Sequence, residues 1–382
     1  MLGWAKDFFR RHKRKIIGLG VVAGGLYSSY KLIQWKVAEW QERERAEYLQ
    51  QAKKQFHFEK NQGTCKTTLV ELMLPLRNRI FEVLNVEEIT TALKCNPGNK
   101  LVLWEELKLQ SFTRTLVSLI STCTLYVFLQ VQISIIAGYM YLESIECSCA
   151  DEFDISELVQ GIEMDRPISS IEKEYLGSIK FLLTDGIILM IDKLRSIVND
   201  NIASMSLKSE VTHYEISKAV FNIWNLFKAD AAGLCKSGNP STKSPFSMYL
   251  LNIEDSRKKT RYLDEEKCQK MIMETFDVIE SEDFQAVLSE SIQECLQLLM
   301  QSIEPYFQYK EDGEFDTAEK GDNEAKREMR LPLAKIVPIV NSQSNQIFRN
   351  GKNLYLETLF SMDSINAFSA NIYESFSSQP EA

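Results

Sequence analysis

The stretch TLVSLISTCTLYVFLQVQISIIAGYMYL, residues 115–142, decides the fold, because its 28 consecutive residues carry no charge. By length alone this stretch could cross a membrane as a helix. Gln130 and Gln132 argue against a span, since they lie about 200° apart on a helix and at least one amide would face lipid. A helix surrounded by its own neighbours satisfies both amides more easily. We therefore predict a buried central helix, with a second membrane span as the alternative.

The rest of the chain repeats the apolar spacing of helices, and strand-like alternation bounded by turn residues is scarce. The sequence therefore predicts an all-α fold. Helical patterns occupy about 65–95, 100–146, 168–206, 210–230, 260–308 and 331–377.

The N-terminus has the composition of a membrane anchor. Residues 1–15 carry a net charge of +5, and residues 16–35 form an apolar segment of about 20 residues if Lys31 reaches back to the interface. A secretory signal is the alternative, but no small-x-small cleavage site precedes the charged residues. The match of GLGVVA, residues 18–23, to a dinucleotide-binding fingerprint is accidental, because no strand precedes it and no βαβ pattern follows.

The remaining boundaries follow from composition. Residues 36–60 are rich in helix formers of mixed charge, and Glu39 and Arg43 stand at the spacing of a helical ion pair. We predict a charged connecting helix at 36–60, a helical domain at 61–377 with flexible loops at about 231–248 and 310–330, and a tail at 378–382.

Charge and reactive side chains exclude several functions. The net charge is −9, and the body of the chain is more acidic than the whole, so we expect no nucleic-acid binding. The eight cysteines of this long chain fit cytosolic thiols better than disulfides, and the three histidines are far apart. No nucleophile, base and orienting group form a recognisable motif. We expect no metal, no cofactor, no small-molecule substrate and no enzymatic activity.

The segment NKLVLWEELKLQSF, residues 99–112, has more apolar side chains than one helix stripe needs. At 100° per residue, Leu101, Val102, Leu109 and Phe112 fall on one side. A second group, Leu103, Trp104 and Leu107, falls on another. This second group must be covered by the chain itself or offered to a partner, and the residues alone leave both possibilities open.

Several blocks in one order resemble the peroxin-3 family, the peroxisomal biogenesis factor 3 proteins. The similarity runs from the basic head to the final helix, and it is weakest between about 145 and 265. The matching blocks are QERERAEYLQQAKKQFHFEKNQGTC at 41–65, NKLVLWEELKLQSFTRT at 99–115, VQISIIAGYMYL at 131–142, LPLAKIVPIVNSQ at 331–343 and AFSANIYESFS at 367–377.

This resemblance implies a docking factor of the peroxisomal membrane, with an N-terminal anchor in the lipid and an elongated helical domain in the cytosol. The partner that it implies is peroxin-19, the receptor of newly made peroxisomal membrane proteins. In this family, an amphipathic helix of peroxin-19 binds in an apolar groove. A cytosolic main domain conflicts with the positive-inside rule, which would keep the basic head in the cytosol.

Carried over position by position, the family's groove falls on Leu93, Lys94, Lys100, Leu103, Trp104, Leu107, Met140 and Lys335. Each lysine could instead be an ordinary solvated charge, and Met140 could be an ordinary core residue that departs from the family pattern. A function of another class also remains: a multi-span channel or transport component, if residues 115–142 cross a membrane.

Overall fold

A computed structural model describes residues 3–95, 98–148, 174–231, 246–251, 263–307 and 330–378, with the side chains of the first helix described from Tyr27 onward. The described chain is almost entirely helical, and its strands are a pair of two residues each. The all-α prediction is confirmed. The helices are α1 (Gly3–Val83), α2 (Val86–Lys94), α3 (Lys100–Ser148), α4 (Ile179–Phe181), α5 (Ile187–Ile202), α6 (His213–Ala231), α7 (Phe246–Leu250), α8 (Leu263–Glu280), α9 (Glu282–Ile303), α10 (Leu333–Ile347), α11 (Leu354–Ser361) and α12 (Asp363–Ser377).

Shorter elements complete the chain. A π-helical turn, Leu182–Gly186, joins α4 to α5, and a 3-10 turn, Glu304–Phe307, follows α9. The strands β1 (Glu210–Val211) and β2 (Leu331–Pro332) pair antiparallel, with Glu210 opposite Pro332. The chain divides into two compact units, Met1–Glu59 and Lys60–Ala382.

Two breaks within the predicted helical ranges occur at polar caps. The 65–95 pattern breaks after Val83, where the Asn85 side chain accepts a hydrogen bond from the Glu88 amide at 3.1 Å and starts α2. The 260–308 pattern breaks at Ser281, whose Oγ accepts from the Phe284 amide at 3.2 Å. Both are N-cap bonds, which satisfy an amide that the helix cannot.

Helix α3 is the core of the second unit. It alone among the described helices searched is long and apolar enough to cross a membrane, yet 94% of its most apolar window is buried in the protein. Residues 111–132 are all buried. The preferred prediction of a buried central helix is confirmed for 115–142.

The side-chain NH2 groups of both glutamines are hydrogen-bonded, while the Gln132 Oε1 is buried without a hydrogen-bond partner among the described residues. Gln130 Nε2 donates to Gln62 Oε1 at 2.8 Å and to the Tyr126 hydroxyl at 2.9 Å. Gln132 Nε2 donates to the Ser178 hydroxyl at 2.7 Å. Because partners from two other segments reach these amides, burial leaves both donor groups paired.

Helices α10 and α12 pack on successive parts of α3. Thr115 Oγ1 donates to the Val340 carbonyl at 2.8 Å, which places α10 beside the first half of α3. Gly138 lies against Phe376 of α12 near the other end. A Cβ added at Gly138 would stand 2.6 Å from Phe376 Cβ, so glycine permits this close approach.

Helix α1 behaves differently in the two units. In the first unit, Arg43 and Glu39 form the predicted ion pair at 2.6 Å. Tyr27, Tyr30, Leu32, Ile33 and Trp35 are all exposed there. In the second unit, Cys65, Leu69, Leu76 and Ile80 are buried in the core.

Several sequence predictions concern residues outside the described part of the chain. These are the basic segment and the first part of the anchor, whose side chains are not described, most of the 231–248 loop, the 310–330 loop and the end of the tail.

Candidate functional site

The first turns of α3 are fixed by a buried lysine. Lys108 has no exposed surface, and its Nζ donates to the Met205 carbonyl at 2.7 Å and to the Ala203 carbonyl at 3.4 Å. Ala203 caps the C-terminal end of α5, where helix carbonyls carry partial negative charge. The Glu105 carboxylate forms an ion pair with the same ammonium group, with 2.6 Å between Glu105 Oε2 and Lys108 Nζ. The buried ammonium is thus neutralised, and it pins α3 to the end of α5.

The segment after α5 also positions the start of α10. The amide of Leu333 donates to the Ser209 carbonyl at 3.0 Å, and the amide of Ala334 donates to the Leu207 carbonyl at 3.0 Å. These bonds continue the β1–β2 pair. The first turn of α10, with Lys335, therefore lies at the same end of α3 as Lys108.

Helix α2 packs on the same end of α3. Arg114 Nη1 and Nη2 donate to the two carboxylate oxygens of Glu87 at 2.6 and 2.9 Å. Lys94 is seven residues after Glu87, which is about 10 Å along α2. Leu107 is seven residues before Arg114, which is the same distance along α3. Only five residues connect Lys94, the last residue of α2, to Lys100, the first residue of α3. Because this connection is short, Leu93 and Lys94 lie beside the first turns of α3.

The electrostatics of the Glu87–Arg114 pair favour the charged carboxylate. Burial by itself raises the pKa of Glu87, but the hydrogen bonds from Arg114, the Glu87 backbone amide and the nearby guanidinium charges outweigh it and hold the pKa below its ordinary value. Arg114 also lies over the Phe81 ring, 4.1 Å from its centroid, and Arg77 lies 4.3 Å from the same centroid.

Trp104 is neither sealed nor fully exposed. Trp104 and Leu103 are half-buried and pack against the core, and Leu107 is buried. The most exposed apolar side chains of this helix start are Leu101 and Val102, at 70% and 63%. The exposed apolar surface of this helix start therefore includes two members of the first group as well, and Val102 lies about 200° from Trp104 around the helix. Leu101 and Val102 precede the point where α2, α5 and α10 close around α3.

Exposed lysines surround this apolar surface. Lys94, Lys100 and Lys335 are all exposed, and none makes an ion pair or hydrogen bond through its side chain within the described chain. Lys208, in the turn that positions α10, is exposed too. Sequence reasoning missed Lys208, although a basic residue close before a predicted helix was the available signal.

Met140 does not belong to this cluster. It lies on the same unbroken helix as Trp104, 36 residues further on, which is about 54 Å along the axis. Met140 is half-buried and packs against the core at the α12 end of α3. Its predicted role in partner binding is not tested by this position and stays a prediction. The other seven predicted residues are Leu93, Lys94, Lys100, Leu103, Trp104, Leu107 and Lys335, and the structure places them at one end of α3.

We call this surface the α3 cleft: the seven predicted residues together with Leu101 and Lys208. Its chemistry is apolar side chains with a rim of free ammonium groups. Among the residues described, no three His, Cys, Asp or Glu side chains gather as a metal site. The described cysteines are free thiols: Cys65, Cys95, Cys123, Cys268 and Cys295.

The fold and this surface define an all-α protein with an apolar, lysine-rimmed surface at the start of its central helix. A model of the peroxin-3 family matches residues 7–100 and 96–375. The chain therefore belongs to the peroxin-3 family.

Named relatives extend the similarity over nearly the whole chain. Peroxisomal biogenesis factor 3 of Homo sapiens is 33% identical over 388 residues, covering 99% of this chain and 98% of the relative. The Mus musculus protein of the same name is 33% identical over 381 residues, covering 97% and 96%. Peroxisome biogenesis protein 3-2 of Arabidopsis thaliana is 25% identical over 390 residues, covering 97% and 99%.

Proposed function

We propose that this protein is a docking factor of the peroxisomal membrane that binds the N-terminal helix of the receptor peroxin-19. By this binding it supports the insertion of peroxisomal membrane proteins. The observation that carries the proposal is the α3 cleft, where a half-buried indole stands beside the exposed side chain of Leu101, three residues earlier on the same helix. An amphipathic helix places a few apolar anchors in such a surface, while its polar face stays in water.

The lysines of the cleft support a partner with acidic groups near its apolar face. Lys94, Lys100 and Lys335 lie around the apolar residues and have no carboxylate partner in the described chain. Rim charges of this kind attract an oppositely charged partner and set its orientation more than they add affinity. The mechanism is association without chemistry.

The direct test is a titration of the full-length protein in detergent micelles with a synthetic peptide of the peroxin-19 N-terminal region. We expect saturable binding of one peptide per chain, with the peptide becoming helical on binding. A scrambled peptide of the same composition is the control, because it keeps the charge and loses the apolar face. Equal binding of both peptides would refute helix recognition.

The membrane part of the proposal places the apolar N-terminal segment in the peroxisomal membrane and the second unit in the cytosol. The described end of this segment supports an anchor, since the apolar and aromatic side chains of residues 27–35 are exposed. We expect a tag fused to the N-terminus to be protected from added protease in intact organelles. Digestion of that tag would reverse the proposed orientation.

A further inference from the structure

The ion pair between Arg114 and Glu87 joins α3 to α2 three turns beyond Trp104. Arg114 has no exposed surface, so its cation depends on the protein for a counter-charge. Within the described chain Glu87 supplies the one carboxylate at ion-pair distance, and it accepts hydrogen bonds from both terminal guanidinium nitrogens, Nη1 and Nη2. Such bidentate geometry fixes orientation as well as distance.

Further contacts make Arg114 rigid. Its guanidinium lies over the Phe81 ring, and Nη1 approaches the Leu84 carbonyl at 3.5 Å. Phe81 packs edge-on against Phe348, which follows α10. Through these contacts the Arg114 side chain is fixed relative to α1, α3 and the end of α10. Its bond to Glu87 then fixes the short helix α2 relative to them.

Besides this pair, helix α2 is held by the Asn85 N-cap, by two buried side chains and by the partial packing of Leu93 on the core. It has nine residues, and its buried side chains are Val86 and Ile89. A helix of this length is not stable by itself in water, so its position is set by packing and by specific bonds. The Glu87 side chain is 61% exposed, so the carboxylate end of the pair can leave Arg114 without crossing the core.

We propose that the Arg114–Glu87 pair is the positioning device of the α3 cleft: it holds α2 so that Leu93 and Lys94 stand beside Trp104. Arg114 and Glu87 touch no partner themselves and act through α2. The inference rests on the proposed docking function, since the cleft is the surface proposed to receive the peroxin-19 helix.

The test compares Glu87→Gln with Glu88→Gln in the full-length protein in detergent micelles. Both variants remove one carboxylate from the first turn of the same helix, but Glu88 contacts Asn85 and not Arg114. Glutamine keeps the size of the side chain and loses the charge and the second acceptor that the guanidinium needs.

Hydrogen exchange without peptide gives the first measurement. In Glu87→Gln we expect the amides of residues 86–94 to lose about tenfold of their protection, while those of residues 115–142 stay unchanged. Glu88→Gln should match the unchanged protein. Equal exchange of α2 in both variants would overturn the inference, and so would a loss of protection throughout α3, because that marks general unfolding.

Binding kinetics with the peroxin-19 peptide give the second measurement. If α2 is in place only about a tenth of the time, the apparent affinity falls about tenfold. That loss should be in the association rate, with an unchanged dissociation rate and an unchanged number of sites. Normal association of Glu87→Gln, despite faster exchange in α2, would show that α2 positions nothing for binding. Absence of binding by the unchanged protein would refute the proposed function itself.

Discussion

Trp104 is the largest apolar side chain of the α3 cleft, and it is half-buried before any partner arrives. Truncating such an aromatic at the centre of an interface removes its contacts and leaves its pocket empty. We therefore expect Trp104→Ala to weaken peptide binding by about 2 to 4 kcal/mol, which is roughly 30- to 1000-fold in Kd. Isothermal titration measures this loss.

Trp40→Ala is the matched control, because Trp40 is an exposed tryptophan of the first unit. It should bind the peptide normally. Circular dichroism of both variants should show unchanged helix content. Near-normal affinity of Trp104→Ala would remove the indole from the binding surface.

Lys335 belongs to the rim of the cleft, where an exposed ammonium acts mainly at long range. We expect Lys335→Ala to lower the association rate a few-fold at low salt, with little change in the dissociation rate. The difference should shrink as added salt screens the charge.

Stopped-flow measurements at two salt concentrations decide this prediction. Lys352→Ala, an exposed lysine beyond the far end of α10, should leave the rate unchanged. An association rate of Lys335→Ala that shows no salt-dependent difference would count against a role of this lysine in attracting the partner.

For single residues, the sequence predicted the environment correctly where that environment depends on the residue's own helix alone. The amides of Gln130 and Gln132 required burial among polar partners, and the structure supplies them. The helical wheel did not indicate that Leu101 and Val102 are exposed, because exposure in the first turn depends on where other helices begin. Arg114 and Glu87 sit on different helices and are 27 residues apart, so helical spacing gave no indication of the pair.

Gly138 sets the distance between α3 and α12. A Cβ there would meet Phe376 Cβ at 2.6 Å and the Phe376 carbonyl carbon at 2.8 Å, so the backbone of α12 would have to move. Overpacking of this kind costs about 1 to 3 kcal/mol. We expect Gly138→Ala to lower the free energy of unfolding by this amount.

Gly63→Ala is the control, since a Cβ at Gly63 meets nothing within 4 Å. Gly63 lies inside α1, where alanine is the better helix former by up to about 1 kcal/mol. Urea unfolding should therefore shift in opposite directions for the two variants. Equal shifts would mean that the helices accommodate a methyl group at Gly138.

Element bounds show what periodicity can and cannot predict. The single helix over 100–146 was predicted nearly to its ends, because its apolar run has no breaker. A single helix over this range already implies that Met140 and Trp104 are far apart along its axis. The position-by-position comparison with the family did not take this distance into account. Breaks at Asn85 and Ser281 were missed because both residues also occur within helices, and only the cap bonds reveal the ends.

Within the described part of the molecule, one helix could be mistaken for a membrane span. We expect residues 45–382, without the anchor, to be a soluble, monomeric and highly helical protein, because the apolar window of α3 is 94% buried by its own chain. Gel filtration and circular dichroism without detergent measure this. A product that requires detergent or extracts with lipid would revive the channel hypothesis.

The burial of α3 has a consequence for how the protein is made. Thr115 and its α10 partner Val340 are 225 residues apart, and Phe376, which covers Gly138, comes later still. At 5 to 20 residues per second, the ribosome needs on the order of tens of seconds to complete this cover. Throughout that time the apolar segment of α3, residues 115–142, lacks these covering helices although it is as hydrophobic as a membrane span. The last partners of the central helix therefore become available only when synthesis of the chain is almost complete.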